Sequence, residues 1–439
     1  MTETTIAVEA TMANGPVTGK ERNKALDVTR GFAVLGILLV NIYFAAMPIN
    51  SVMFLFFKPD VLAADMHAWT FMQVGLIGVS RGLFSLMFGA GMMLLLDRLK
   101  DRFEGKKLRN FFFKRMGILY VIGLVHIFGF MWFGDILNVY ALCGMILYFF
   151  RNASTRKLAI AAVIFALIAS VIPVAMSFGI SSLSQLEQKE ANGQSLTEDE
   201  ITLKEALKEA FDPLMNPQKI LEDDKVITEK MLGDFRETYI AVALISLEFL
   251  PTNFILVLWD SLFMMVIGIW MFRKGWLTGE AKTATYVKMT VIGLGVGLGI
   301  RGYWFYQFWQ QEYAMDYVML NFVAAQPTRL FIAAGVIGAV QLFIRATFWQ
   351  SIKNSIASVG QMALSNYMAH SIIFAFVFYG FGLGLYNSLT GWQVFGLGLL
   401  IFIAQMIVSP IWLKYYRFGP IEWLWRSLTY GERQLMRRV

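Results

Sequence analysis

The chain has 439 residues, of which 57% are hydrophobic and only 16% charged, against roughly 25% charged in an average soluble protein. Its mean hydropathy is +0.56, and apolar runs of about 20 residues recur, each long enough to cross a hydrocarbon core of about 30 Å. These values exclude an ordinary soluble enzyme; the single cysteine, Cys143, excludes an internal disulfide and a cysteine-based zinc site, and basic loops account for the net charge of +7 without a nucleic-acid partner.

Residues 1–24 are polar and mixed, with Gly15-Pro16 as a breaker and no apolar run ahead of a cleavage site. They read as a disordered cytoplasmic tail rather than a signal peptide. Transmembrane helices one to five occupy 25–178: helix one is predicted over 26–48, helix two over 69–96 with Arg81 inside it, helix three over 116–133, helix four over 136–150 and helix five over 158–178. Segment 179–237 is too charged to span, with about twice as many acidic as basic residues. Ser195-Leu-Thr-Glu198 in it reads as a capping box. Leu203, Ala206, Leu207, Ala210 and Phe211 then mark one face of a helix, expected over 197–211 and covering the mouth of the bundle. Helices six to ten fill 238–415, predicted over 254–272 (with Asp260), 287–304, 330–348, 361–385 and 394–413. Residues 416–439 form a basic cytoplasmic tail.

Ten helices put both termini on one side. The loops bearing Lys and Arg follow helices two, four, six and eight, and the acidic segment follows helix five on the opposite side. The positive-inside rule then gives a cytoplasmic N-terminus and an external 179–237 segment. The expected fold class is therefore all-α, a polytopic bundle of about ten helices in contact with membrane lipids.

Ionisable groups at membrane depth are costly, so each one is a candidate site with a partner to be named. His126 lies mid-membrane in helix three, as a general base or as a neutral ring bonded to a carbonyl. Asp135 is nine residues on, about 13 Å further if the helix continues, which would leave each needing a partner elsewhere. Helix four is short, so Asp135 lies below the membrane surface or simply caps that helix. Arg81 needs an acidic partner, Asp260 or Asp135. Asn366 and His370 are four apart and share a face of helix nine. His67 falls in the first outer loop, in solvent. Gly297-Leu-Gly-Ile-Arg-Gly302 fits G-x-G-x-x-G but follows no strand, and close helix packing explains its glycines better than a dinucleotide. No metal-ligand constellation, phosphate loop or nucleophile elbow is visible.

Several blocks carry a resemblance: Leu26-Asp27-Val-Thr-Arg30-Gly31 through Asn41-Ile42, Leu83-Phe-Ser-Leu-Met-Phe88-Gly89-Ala-Gly91, His126 with Gly134-Asp135-Ile136-Leu137, Gly360 through Asn366-Tyr367, and Gly419-Pro420-Ile-Glu422-Trp423 through Gly431. Together they resemble the YeiB-like family of bacterial membrane proteins. The helix-one pattern is also similar to that of the wider transmembrane acyltransferase clan. That resemblance implies a bacterial inner-membrane acyltransferase with both termini cytoplasmic. It would move an acyl group from acyl-coenzyme A to a small-molecule, glycan or lipid acceptor of the cell envelope. The O-acyltransferases of the clan carry an Arg followed eleven residues later by a His; here Arg30 is followed by Asn41, so His126 or His67 would serve as base. On this reading His126 and Asp135 are catalytic, and Arg30, Asn41, Arg81, Asp260, Asn366 and His370 contact substrate. A transporter with a His/Asp proton relay and a lipid- or quinone-binding protein are the alternatives. The oligomeric state stays open, a homodimer included.

Overall fold

The computed structural model describes residues 23–58, 61–310 and 315–438, with only the backbone described for 213–215 and 315–324. Its main helices are α1 (Lys24–Ala46), α2 (Ala63–Leu99), α3 (Gly105–Gly129), α4 (Leu137–Phe150), α5 (Thr155–Ala191), α6 (Glu198–Met215), α7 (Pro217–Met231), α8 (Phe235–Arg273), α9 (Thr283–Gln310), α10 (Met315–Arg345), α11 (Gln350–Gln361), α12 (Ala363–Phe378), α13 (Gly391–Tyr415) and α14 (Pro420–Tyr430). No strand occurs among the described residues, only an isolated bridge between Tyr416 and Arg437. Among the described residues eight helices are long and apolar enough to cross a membrane, and the two shorter apolar ones are α4 and α12. The protein is an all-α, multi-pass membrane bundle, and each predicted apolar helix has its counterpart.

Burial sorts the helices. In α1 and α2 about two-thirds of the apolar stretch is enclosed by protein, against about a fifth in α9. Val163, Leu167 and Val171 face outward on α5, and Leu400, Ile407 and Ile411 do so on α13. Apolar outward faces are what lipid contact requires. Hydrogen bonds tie loops together at each end. Asn23 donates to the Thr278 carbonyl (3.0 Å), the Trp425 indole to the Arg115 carbonyl (2.9 Å), and Arg273 to the Ala153 carbonyl (2.5 Å) at the basic end. At the other end Tyr43 donates to the Gly391 carbonyl (2.8 Å) and the Asn387 amide to the Ala46 carbonyl (2.7 Å).

Two π-turns interrupt the long helices, at Met72–Leu76 in α2 and Asn253–Val257 in α8. The first ends at Gly78, in the left-handed region at φ +75°. The carbonyls it frees need donors, and the buried Arg301 supplies them, reaching those of Val74 (3.2 Å) and Ile77 (3.0 Å). The second corrects a predicted boundary. Helix six was expected to begin at 254, but α8 starts at Phe235, because the π-turn after Pro251 lets the helix run through the break.

The 179–237 segment holds two helices. α6 begins as expected but is capped by Thr197 with Glu200, two residues beyond the expected Ser195–Glu198 pair. That register puts Glu198, Asp199 and Glu200 together in the first turn, where the positive end of the helix dipole favours them. α7 was not foreseen; Asn216 caps it and Pro217 opens it. It rests on the loops that follow α1 and α12: Ser51 donates to Asp224, Asn387 to Thr228 (3.2 Å), and the Gly380 amide to the Met231 carbonyl (2.9 Å). Burial pushes the Asp224 carboxyl above its ordinary range, against the pull of Ser51.

Candidate functional site

The site starts where α3 stops. The helix ends at Gly129, Met131 takes the left-handed conformation at φ +56°, and the chain turns back on itself before α4. This reversal carries Asp135 to His126, with Oδ1 at 2.7 Å from Nδ1. The expectation that the two stand about 13 Å apart and cannot bond is therefore overturned, since it assumed a helix continuing to Asp135. The second carboxylate oxygen accepts from the amides of Leu137 (2.8 Å) and Asn138 (3.3 Å), so Asp135 also caps α4. Asn138 donates to the Tyr120 carbonyl (2.8 Å), closing α4 onto α3. Irregular backbone at membrane depth is tolerated only when protein covers it; Trp132, packed against Phe374, and Phe133, packed against Phe249, supply that cover.

The other imidazole nitrogen, Nε2, lies 2.7 Å from Ser371 Oγ on α12. His126, Asp135 and Ser371 are all buried. In the tautomer in which a neutral imidazole donates from Nδ1 to an ionised Asp135, Nε2 accepts from the Ser371 hydroxyl. Hydroxyl, imidazole and carboxylate thus form one chain, the arrangement that activates serine in hydrolases on unrelated folds. The Tyr367 ring, one helical turn before Ser371, stands edge-on to His126 with centroids 4.9 Å apart.

Tyr367 is also the inner wall of a cavity of about 530 Å³. The cavity runs between α1, α2, α3, α4, α11, α12 and α14. Its inner part is apolar and aromatic (Met87, Phe88, Leu119, Leu137, Tyr140, Tyr367), and its basic end carries Arg30, Arg98, Arg102, Arg115 and Arg426 against Asp27, Asp101 and Glu422. Arg30 lies 3.4 Å from Asp27, and Arg115 stacks on Trp425 with its guanidinium carbon 3.7 Å from the ring centroid. Glu422 joins α14 to the start of α12, accepting from the amides of Leu364 (2.7 Å) and Ser365 (3.1 Å) and from the Ser365 hydroxyl (2.5 Å). Burial raises its carboxyl above the ordinary range, and those hydrogen bonds pull the other way.

The remaining predicted site residues lie elsewhere. Arg81 pairs with Asp260 (2.8 Å), one of its two expected partners, and Arg329 meets the same oxygen. This is a separate cluster of two guanidiniums on one carboxylate. Asn366 and His370 do share a face, but it is turned to α13: Asn366 donates to Ser409 (3.1 Å), His370 lies 3.2 Å from Gln405 Oε1, and Gln405 donates to the Asn366 carbonyl (3.2 Å). Neither lines the cavity, and nor does the half-buried Asn41. His67 is exposed, as expected, and stacked on Trp309, but it lies in the first turns of α2, which begins at Ala63, and not in the predicted outer loop. Among the described residues no group of His, Cys, Asp and Glu is placed to hold a metal.

Ser371 and Arg329 were missed. A serine beside His370 in an apolar helix carries no mark of a partner 245 positions away, and the predicted helix eight began at 330, just past Arg329. Arg98, Arg102 and Arg426 were visible, but only as charges that set topology.

Comparison with known proteins gives the relatives. Residues 271–432, from the end of α8 through α14, match a family described as a protein of unknown function (DUF418). The chain is 30% identical over 424 residues to the uncharacterized protein YxaH of Bacillus subtilis (strain 168), covering 94% of this chain and 96% of that one. It is 30% identical over 418 residues to the uncharacterized protein YeiB of Escherichia coli (strain K12), covering 93% and 96%. An uncharacterized 39.9 kDa protein of Bacillus acidopullulyticus is 24% identical over 422 residues. Likeness of that extent, together with the family match of residues 271–432, identifies the chain as a member of the YeiB-like, DUF418 family of bacterial membrane proteins.

Proposed function

We propose that this protein is an acyltransferase of the bacterial inner membrane. It takes an acyl group from a coenzyme A thioester and passes it to a hydroxyl or amine of a cell-envelope acceptor. The observation that carries the reading is the juxtaposition of an arginine-rimmed, apolar-floored cavity with a carboxylate-fixed imidazole one aromatic ring beyond its inner wall. Guanidiniums suit phosphate and pyrophosphate because their planar donor fork binds two oxygens at once. The apolar interior suits an acyl chain. The positive-inside rule turns the basic end to the cytoplasm, where coenzyme A thioesters are made.

The residues take distinct roles. Arg30, with the other rim arginines, holds the anionic part of the donor. Asp135 fixes the imidazole tautomer and stabilises the imidazolium that forms when His126 accepts a proton. His126 is the general base. The assay is transfer of labelled acetyl from acetyl-coenzyme A to a cell-envelope extract by the purified protein. Transfer that disappears in His126→Ala supports the reading; transfer that survives that substitution assigns the base elsewhere.

A further inference from the structure

His126 has two nitrogens, and both are engaged. Nδ1 lies 2.7 Å from Asp135 Oδ1 and Nε2 2.7 Å from Ser371 Oγ, and in the tautomer that donates from Nδ1, Nε2 is the one basic lone pair left. As built, the imidazole cannot take a proton directly from an outside acceptor; the proton within its reach is that of Ser371. We propose that Ser371 is the nucleophile of a two-step transfer and carries the acyl group as a serine ester. The inference rests on the acyltransferase reading and adds to it a covalent enzyme intermediate.

The placement of α12 supports this. Ala363, Tyr367 and Ser371 recur every four residues and share one face of the helix. Ala363 and Tyr367 line the cavity, so Ser371 stands one turn beyond its inner wall, behind the Tyr367 ring. On this proposal the Tyr367 ring must turn aside to let the thioester reach the hydroxyl. Asp135 is itself held by two backbone amides at the start of α4, so the chain of hydrogen bonds is fixed at its carboxylate end.

The chemistry balances without an added reactant. The Ser371 proton passes to His126 Nε2 as Oγ attacks the thioester carbonyl carbon. The carbon–sulfur bond breaks, and coenzyme A leaves as a thiol with the proton from Nε2. In the second step the acceptor hydroxyl or amine gives its proton to Nε2 and attacks the ester carbon. The bond to Oγ breaks, and Ser371 recovers its proton.

A covalent intermediate makes the first step reversible without acceptor, so labelled free coenzyme A should exchange into acetyl-coenzyme A on the wild-type protein alone. Peptide mapping after labelled acetyl-coenzyme A should find the label on Ser371. Ser371→Ala should abolish exchange, since no oxygen is left to carry the acyl group, while the thermal shift caused by coenzyme A persists. Ser371→Cys should keep the label as a thioester that neutral hydroxylamine removes. Transfer to an envelope extract with no exchange, with label on another residue, or with exchange intact in Ser371→Ala overturns the nucleophile and leaves the acyltransferase in place. Absence of transfer together with absence of any thermal shift from coenzyme A overturns both.

Discussion

His126 illustrates how much a single side chain depends on the turn that follows it. Its bond to Asp135 exists because the helix stops at Gly129 and Met131 adopts a left-handed conformation. Both residues were visible as costly polar groups in an apolar stretch, and Asp135 as a helix cap. Their contact was hidden because an apolar run shows no helix end. Removing a general base costs about 10² to 10⁴ in rate, so His126→Ala should abolish most turnover with donor binding retained. Asp135→Asn turns an amide donor toward Nδ1 and reverses the tautomer, and turnover should fall by about 10⁴, as in Ser-His-Asp hydrolases. Steady-state rates and coenzyme A binding, measured on the same samples, separate the two effects.

The Arg81–Asp260–Arg329 cluster makes a prediction of the same kind. Removing one partner of a buried pair costs about 3–5 kcal/mol because a charge is left uncompensated. Asp260→Leu strands two guanidiniums, whereas Arg81→Leu leaves Asp260 with Arg329. The melting temperature in detergent should fall further for Asp260→Leu; a larger fall for Arg81→Leu would show that Arg329 does not share the carboxylate.

At the scale of elements, the glycines of α9 separate packing from composition. A Cβ on Gly293 would stand 2.5 Å from the Phe331 carbonyl oxygen and 2.6 Å from the Gly335 nitrogen, and one on Gly297 2.4 Å from Ile332. Gly295 and Gly299 have nothing within 4 Å. Close helix packing therefore holds for Gly293 and Gly297, which face α10, and fails for Gly295 and Gly299 on the other side of the helix. Gly293→Ala should destabilise by about 1–3 kcal/mol through overpacking. Gly295→Ala should be neutral or stabilising by up to about 1 kcal/mol from helix propensity. Thermal unfolding decides between opposite signs. Apolar length marked the spans, but boundaries slipped wherever a π-turn or a buried arginine absorbed a break, as at Asn253–Val257 and at Arg301 beside Gly78.

For the whole molecule, the proposed topology and the proposed function meet at the basic end of the cavity, which carries its arginines. The proposed orientation rests on charge asymmetry, which depends on loop composition alone. The cavity was not legible there, because its walls come from seven helices spread along the sequence. Cys143 is buried, so single cysteines can be placed on the natural chain with little background. Lys208→Cys should react with a membrane-impermeant maleimide in intact cells and Lys106→Cys should not; the reverse pattern would invert the bundle and turn the arginine rim away from the cytoplasm.

The most direct test of the central claim, that the cavity holds a coenzyme A thioester, is the melting temperature of the purified protein titrated with coenzyme A. A ligand that binds the folded state at about 100 times its Kd stabilises by about 2.7 kcal/mol. The account predicts a saturable rise that His126→Ala retains and Arg30→Ala shifts to higher ligand concentration. A melting temperature that stays flat across the titration, in a sample that unfolds cooperatively, would contradict it.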